Sequence, residues 1–128
     1  VDYNVLDGIG VRGEYDLLIS NILTEQAGDP EVFVNQYWKT NVDGSNPQNG
    51  SGYSNPEYDA LSDQLASEFD PAKRRDIIIK MEKIVQDDAA TLIFGYPQTN
   101  MVSNKSVQNA NIYPCDYYWV TKDITPAK

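Results

Sequence analysis

The chain has 128 residues, 41% hydrophobic and 11% aromatic, and carries 10 basic against 19 acidic side chains for a formal net charge of −9. This is one domain's worth of ordinary globular composition, and a field of that sign repels phosphate backbones and anionic headgroups, so neither nucleic acid nor a membrane surface is an expected partner. Histidine is absent, which removes Ser-His and Cys-His nucleophile systems and the commonest zinc ligand.

In chain order, the first strong signal is GEYDLLISNIL, with five large aliphatics in its last seven positions. A near-continuous apolar run of this length predicts a strand over 13–23 covered on both faces, as in a parallel sheet. It leads into the polar TEQAG at 24–28, which should emerge at the strand's carboxyl end. Next comes GDPEVFVNQYW. Asp29 suits an N-cap, Pro30 the first helical position and Glu31 the dipole's positive end. Phe33, Val34, Tyr37 and Trp38 then share a face, predicting a helix from about 30 to 38.

Residues 39–53, KTNVDGSNPQNGSGY, hold few apolar side chains and three glycines. They read as a surface connector, with a loop bordering a ligand site as the alternative. Asn55-Pro56 starts a second helix, with Tyr58, Leu61, Leu65 and Phe69 expected on its apolar side. Asp70-Pro71 starts a third, where Ile77, Ile78, Met81, Ile84 and Val85 make a clean stripe. A corner of one or two residues should join these two helices. Beyond them, 91–96 reads as a strand, followed by a Pro turn and an extended piece at Met101 and Val102. The segment 109–128 is an aromatic-rich tail without periodicity.

The single cysteine, Cys115, permits no internal disulfide. No stretch approaches the roughly 20 apolar residues of a membrane span. The opening VDYNVLDG shows neither an initiator methionine nor a leader, and the expectation is a piece of a longer protein.

The order of these parts resembles the carboxyl-terminal lobe of the family 5 extracellular solute-binding proteins, the peptide- and nickel-binding receptors of ATP-driven (ABC) importers. Six short motifs follow one another as in that family. They are GEYD at 13–16, DP at 29–30, GYSNPEYD at 52–59, DPAKR at 70–74, the amphipathic helix after it, and LIFGYP at 92–97. The resemblance covers about three-quarters of the chain, residues 13–108. It implies an α/β fold, part of one lobe of a two-lobe (type II) periplasmic-binding-protein-like architecture, with 1–128 as one domain and the amino-terminal lobe missing. It also implies a non-enzymatic receptor, needing no cofactor, that captures short peptides and delivers them to permease subunits in the membrane. Such a receptor would be a monomer, in the periplasm or lipid-anchored on the extracellular face.

In peptide-binding relatives an acidic residue soon after this strand pairs with the ligand's α-amino group. Counted forward from Asp16 that position is Glu25; counted backward from Pro30 it is Gln26. The family often has Trp where Ile22 stands here. Leu23 and Thr24 would offer main-chain contacts to a peptide backbone.

Two further readings fit the same residues. A receptor or adhesion module on the same fold could read a signal peptide or a protein partner. A carboxylate-pair hydrolase could use Glu25 with Asp29 or Asp16, although Asp29 is better accounted for as a helix cap. The oxygen-rich NVDGSNPQNGSG lacks the central glycine and acidic twelfth position of an EF-hand, so no calcium site is expected there.

Overall fold

A computed structural model of the chain describes residues 2–21, 29–96, 98, 100–112 and 121–127. Two compact units are present, Val1–Leu92 and Ile93–Lys128.

The first unit is helical. Helix α1, Tyr3–Arg12, was not foreseen. The Asp2 side chain accepts the Asn4 N–H at its start, and Gly13, in the left-handed conformation, donates to the Ile9 and Gly10 carbonyls at its end. Gly13 is therefore a helix terminator and not the first residue of a strand. Helix α2, Glu31–Trp38, begins one residue later than expected, yet Asp29 still supplies the capping bond, its Oδ1 accepting the Glu31 N–H at 2.9 Å. Helices α3, Pro56–Ser67, and α4, Pro71–Asp87, start as the two Asx-Pro pairs require. Asn55 Oδ1 accepts from Glu57 and Tyr58, and Asp70 Oδ1 from Ala72 and Lys73. α4 closes through Ala89, held at φ +51 without the usual glycine.

Helices α2, α3 and α4 pack on one another. Their shared core is Val34, Tyr58, Leu65, Ile77, Ile78, Met81 and Val85, flanked by half-buried Phe33, Trp38, Leu61 and Ile84. Most residues of the stripes read from the sequence thus face inward. Phe69 is 86% exposed, because α3 ends at Ser67 and Phe69 lies in a three-residue corner beyond the helical repeat. Tyr58 shows how a polar atom is kept in such a core. Its ring is fully buried and its O–H donates to the Val34 carbonyl at 2.6 Å, joining α3 to α2. Burial is the main cause that pushes its ionisation well above the ordinary tyrosine value.

The stretch 39–53 proves to be a built loop. Asn49 is 3% exposed and its side chain forms four hydrogen bonds. Its Nδ2 donates to the Lys39 and Tyr53 carbonyls at 3.0 and 2.8 Å, and its Oδ1 accepts from the Ser51 hydroxyl and the Tyr53 N–H. Asn46 Nδ2 donates to the Asn35 and Lys39 carbonyls at the end of α2, the first of which also accepts the Lys39 N–H. Gly50 lets this loop meet α1, since a Cβ there would overlap the Gly10 carbonyl.

Neither predicted strand is present among the described residues. In 14–21 the backbone joins no described strand, and Leu17 and Ile19 are 79% and 67% exposed. In 91–96 the same holds, with Leu92, Phe94 and Tyr96 exposed. A strand apolar on both faces needs a strand beside it and cover above and below; no described strand lies beside either segment, and half-buried Leu18, near Gly10 of α1, has cover on one side only. The expected α/β architecture is accordingly seen only as a helical unit and, in the second unit, a small antiparallel pair. There β1, Val107–Gln108, pairs with β2, Thr125–Pro126, in the register Val107 to Pro126 and Gln108 to Thr125. Asn109, at φ +61, donates from Nδ2 to the Asp123 carbonyl beside this pair.

Candidate functional site

The segment singled out for ligand contact enters after Asn21 and leaves at Asp29. Leu23, Thr24, Glu25 and Gln26 lie outside the described residues, as does Cys115. What can be built from the residues upward is the frame on the segment's exit side.

Arg74 is the centre of that frame. It sits in the second turn of α4 with its side chain 17% exposed, and both terminal nitrogens are engaged. Nη1 donates to the Leu65 and Glu68 carbonyls at 2.9 and 2.7 Å, closing the end of α3. Nη2 donates to Asp29 Oδ2 at 2.9 Å and Glu31 Oε2 at 2.8 Å, at the start of α2. One guanidinium therefore fixes the relative positions of three helices through charge-assisted bonds. The Asp29 carboxyl is held below its ordinary value, first by the Glu31 N–H and then by Arg74, against the opposing effect of burial.

That geometry decides what Asp29 can do. A carboxylate held ionised by a backbone donor and an arginine is a poor general acid, and both Asp29 oxygens are engaged, Oδ1 with the Glu31 N–H and Oδ2 with Arg74. Asp16 is exposed in an irregular segment, 13 residues before Asp29 in the chain.

A second polar knot explains GYSNPEYD. Gly52 takes φ +69, a conformation that favours glycine. The Tyr53 O–H and the Asn55 Nδ2 both donate to Asp88 Oδ2, at 2.6 and 2.8 Å, tying the start of α3 to the end of α4. Asn55 also caps α3, Pro56 opens it, and Asp59 Oδ1 accepts the Thr40 N–H. Burial, with Asp88 adding to it, pushes the Tyr53 phenol up to about 12, and the Tyr53 bond is the first cause holding Asp88 low. Both groups are engaged in this tie between α3 and α4.

Sequence reasoning named the DPAKR motif without seeing Arg74's part in it, and missed Asn49 and Asp88. A signal for Arg74 was present. Lys73, Arg74 and Arg75 stand near the positive end of α4's dipole, where a cation is disfavoured unless dedicated partners hold it. Among the described residues, no group of three or more His, Cys, Asp or Glu side chains is placed to hold a metal ion. No helix there is long and apolar enough to cross a membrane.

Comparison with known proteins gives one informative likeness. No protein-family profile and no solved structure matches the chain. Over 102 residues, 80% of its length, the chain is 32% identical to the probable D,D-dipeptide-binding periplasmic protein DdpA of Escherichia coli (strain K12). Those residues span 19% of that relative. The relative is a binding protein by name, in agreement with the expectation of binding without chemistry. The chain is thus distantly similar to a periplasmic solute-binding protein, and the likeness suggests the family 5 receptors that the motifs resemble.

Proposed function

We propose that this chain forms part of the carboxyl-terminal lobe of a solute-binding protein serving an ABC importer, one that captures short peptides outside the cytoplasmic membrane and passes them to permease subunits. The observation that carries this reading is the 32% identity to a dipeptide-binding protein along 80% of the chain. The structure supports it indirectly. The recurring motif residues are occupied in bracing helices α2, α3 and α4 through Arg74 and Asp88, as a scaffold for binding would use them, with Asp29 and Tyr53 among the groups so engaged.

In this proposal the receptor is a monomer in the periplasm or lipid-anchored on the extracellular face, and its other lobe lies elsewhere in the same protein. Glu25, or Gln26 one residue on, receives the ligand's α-amino group, while Leu23 and Thr24 offer main-chain contacts. A carboxylate suits an ammonium partner because the charge-assisted bond is worth on the order of 1.5–3 kcal/mol. Titration calorimetry of the full-length protein with short peptides tests this. Glu25→Gln should weaken binding at least about tenfold, or about 1.4 kcal/mol. The same substitution should cost nothing further against N-acetylated peptides, which lack the ammonium. Unchanged affinity for free peptides would remove Glu25 from the site.

A further inference from the structure

Asn49-Gly50 is the one Asn-Gly pair in the chain, and the loop between α2 and α3 needs both members. Asn49 holds the Lys39 and Tyr53 carbonyls through Nδ2, and the Ser51 hydroxyl and Tyr53 N–H through Oδ1. Gly50 stands where any Cβ would overlap the Gly10 carbonyl of α1. The fold thus sets a thermolabile amide side chain directly before a residue with no Cβ to shield its backbone nitrogen.

That nitrogen is the nucleophile of a known side reaction of asparagine. The Gly50 nitrogen, giving up its proton to solvent base, bonds to Asn49 Cγ, the Cγ–Nδ2 bond breaks, and ammonia leaves. Water then opens the resulting succinimide ring. Opening at Cγ leaves an aspartyl residue in normal linkage. Opening at the backbone carbonyl leaves an isoaspartyl residue, whose main chain runs through the side chain and is longer by a carbon.

In the closed loop the ring has no room to form. Asn49 is 3% exposed and its amide is held at both ends by the four bonds above. Its backbone is held too, the N–H donating to the Asn46 carbonyl at 3.2 Å and the carbonyl accepting the Gly52 N–H at 3.3 Å. Turning Cγ onto the Gly50 nitrogen therefore requires the loop to open. Once the reaction has run, the loop cannot close as before. A carboxylate has no N–H for the Lys39 and Tyr53 carbonyls and sets negative oxygens against them in a buried place. The isoaspartyl form also displaces Gly50, which has no spare room against Gly10.

We infer that Asn49 is a site of spontaneous deamidation, gated by opening of the loop between α2 and α3, and that the conversion permanently undoes the loop's seat on α1. The site uses none of Leu23, Thr24, Glu25 or Gln26 and stands whether or not the chain serves a peptide receptor.

The test incubates the full-length protein at mildly alkaline pH and follows, by peptide mapping with mass spectrometry, a gain of about 1 Da at Asn49. Conversion in the native protein should be at least about twentyfold slower than in the same protein unfolded in urea. Asn46→Ala, which removes the neighbouring tie to the Lys39 carbonyl, should raise the native rate at least about threefold and leave the unfolded rate unchanged. Urea well below the unfolding midpoint should raise the native rate as well, a second reading of the gate that needs no substitution. The converted protein, separated by its added negative charge, and Asn49→Asp should both exchange the amides of α1 at least about tenfold faster than the unconverted protein. Equal rates in folded and unfolded protein would overturn the gate, and no conversion at Asn49 in urea would overturn the site. A native rate that neither Asn46→Ala nor dilute urea moves would also overturn the gate. Unchanged exchange in α1 after conversion would overturn its consequence for the fold.

Discussion

Replacing Asn49 by alanine probes the loop between α2 and α3 most sharply. Alanine removes four hydrogen bonds from a side chain that is 3% exposed. Their losses are unequal. The Lys39 carbonyl keeps Asn46 Nδ2 at 2.7 Å, and the Tyr53 N–H keeps a longer bond to the Ser51 hydroxyl at 3.3 Å. The Tyr53 carbonyl has no such substitute among the described bonds of this loop. One buried acceptor left unpaired costs about 1–3 kcal/mol, and the weakened bonds add about 0.5–1.5 kcal/mol between them. The expected destabilisation is therefore about 2–3 kcal/mol. Urea denaturation followed by far-ultraviolet circular dichroism would read it as a fall in midpoint at constant slope. Asn46→Ala together with Asn49→Ala should cost more than the sum of the two, because the Lys39 carbonyl then loses both donors. A loss below about 0.5 kcal/mol for Asn49→Ala would mean that the loop is a plain surface connector after all, and the reasoning would fail.

Two other expectations concern the frame itself. Gly50→Ala places a Cβ against the Gly10 carbonyl, a backbone atom that cannot rotate away, so α1 and the loop must part. Hydrogen exchange should quicken in the amides of α1, and unchanged exchange there would contradict the contact. The acid dependence follows from Asp29 and Asp88, both held below the ordinary carboxylate range. Groups depressed in the folded state stabilise it fully above their unfolded value, about 3.9, and lose that contribution as pH falls through the folded values. The urea midpoint should therefore be flat from pH 8 to 5 and drop below about 4. The gap between the native chain and Asp29→Asn should narrow over the same acid range, and a gap independent of pH would refute the assignment.

Helices α2, α3 and α4 were legible because each begins with a device whose physics is local. An Asx side chain and a following proline satisfy or remove the first open N–H groups, and the apolar stripes behind them need only helical periodicity. Helix α1 carried the same kind of bracket in Asp2 and Gly13, but the aliphatic run beyond Gly13 drew that glycine into a strand. The two expected strands show a different limit. Apolar runs at 17–23 and 92–96 state that cover is wanted, and nothing local states which backbone pairs with them. In the loop, Asn46 and Asn49 act by reaching carbonyls up to eleven residues away, a role that leaves no periodic trace. Arg74 was visible as part of a motif, yet its job depends on α2 and α3 converging on one guanidinium, which the spacing within α4 does not encode. The ligand residues proposed at 23–26 rest on family resemblance and alignment by count, and so they call for the Glu25 experiment above.

The most direct test of the proposed role is native mass spectrometry of the full-length protein, purified without denaturant from cells able to retain its ligand. The peptide-receptor account predicts bound masses that differ by amino-acid residues and are displaced by added short peptides. A protein that emerges empty and stays empty across a panel of di- to pentapeptides would contradict it.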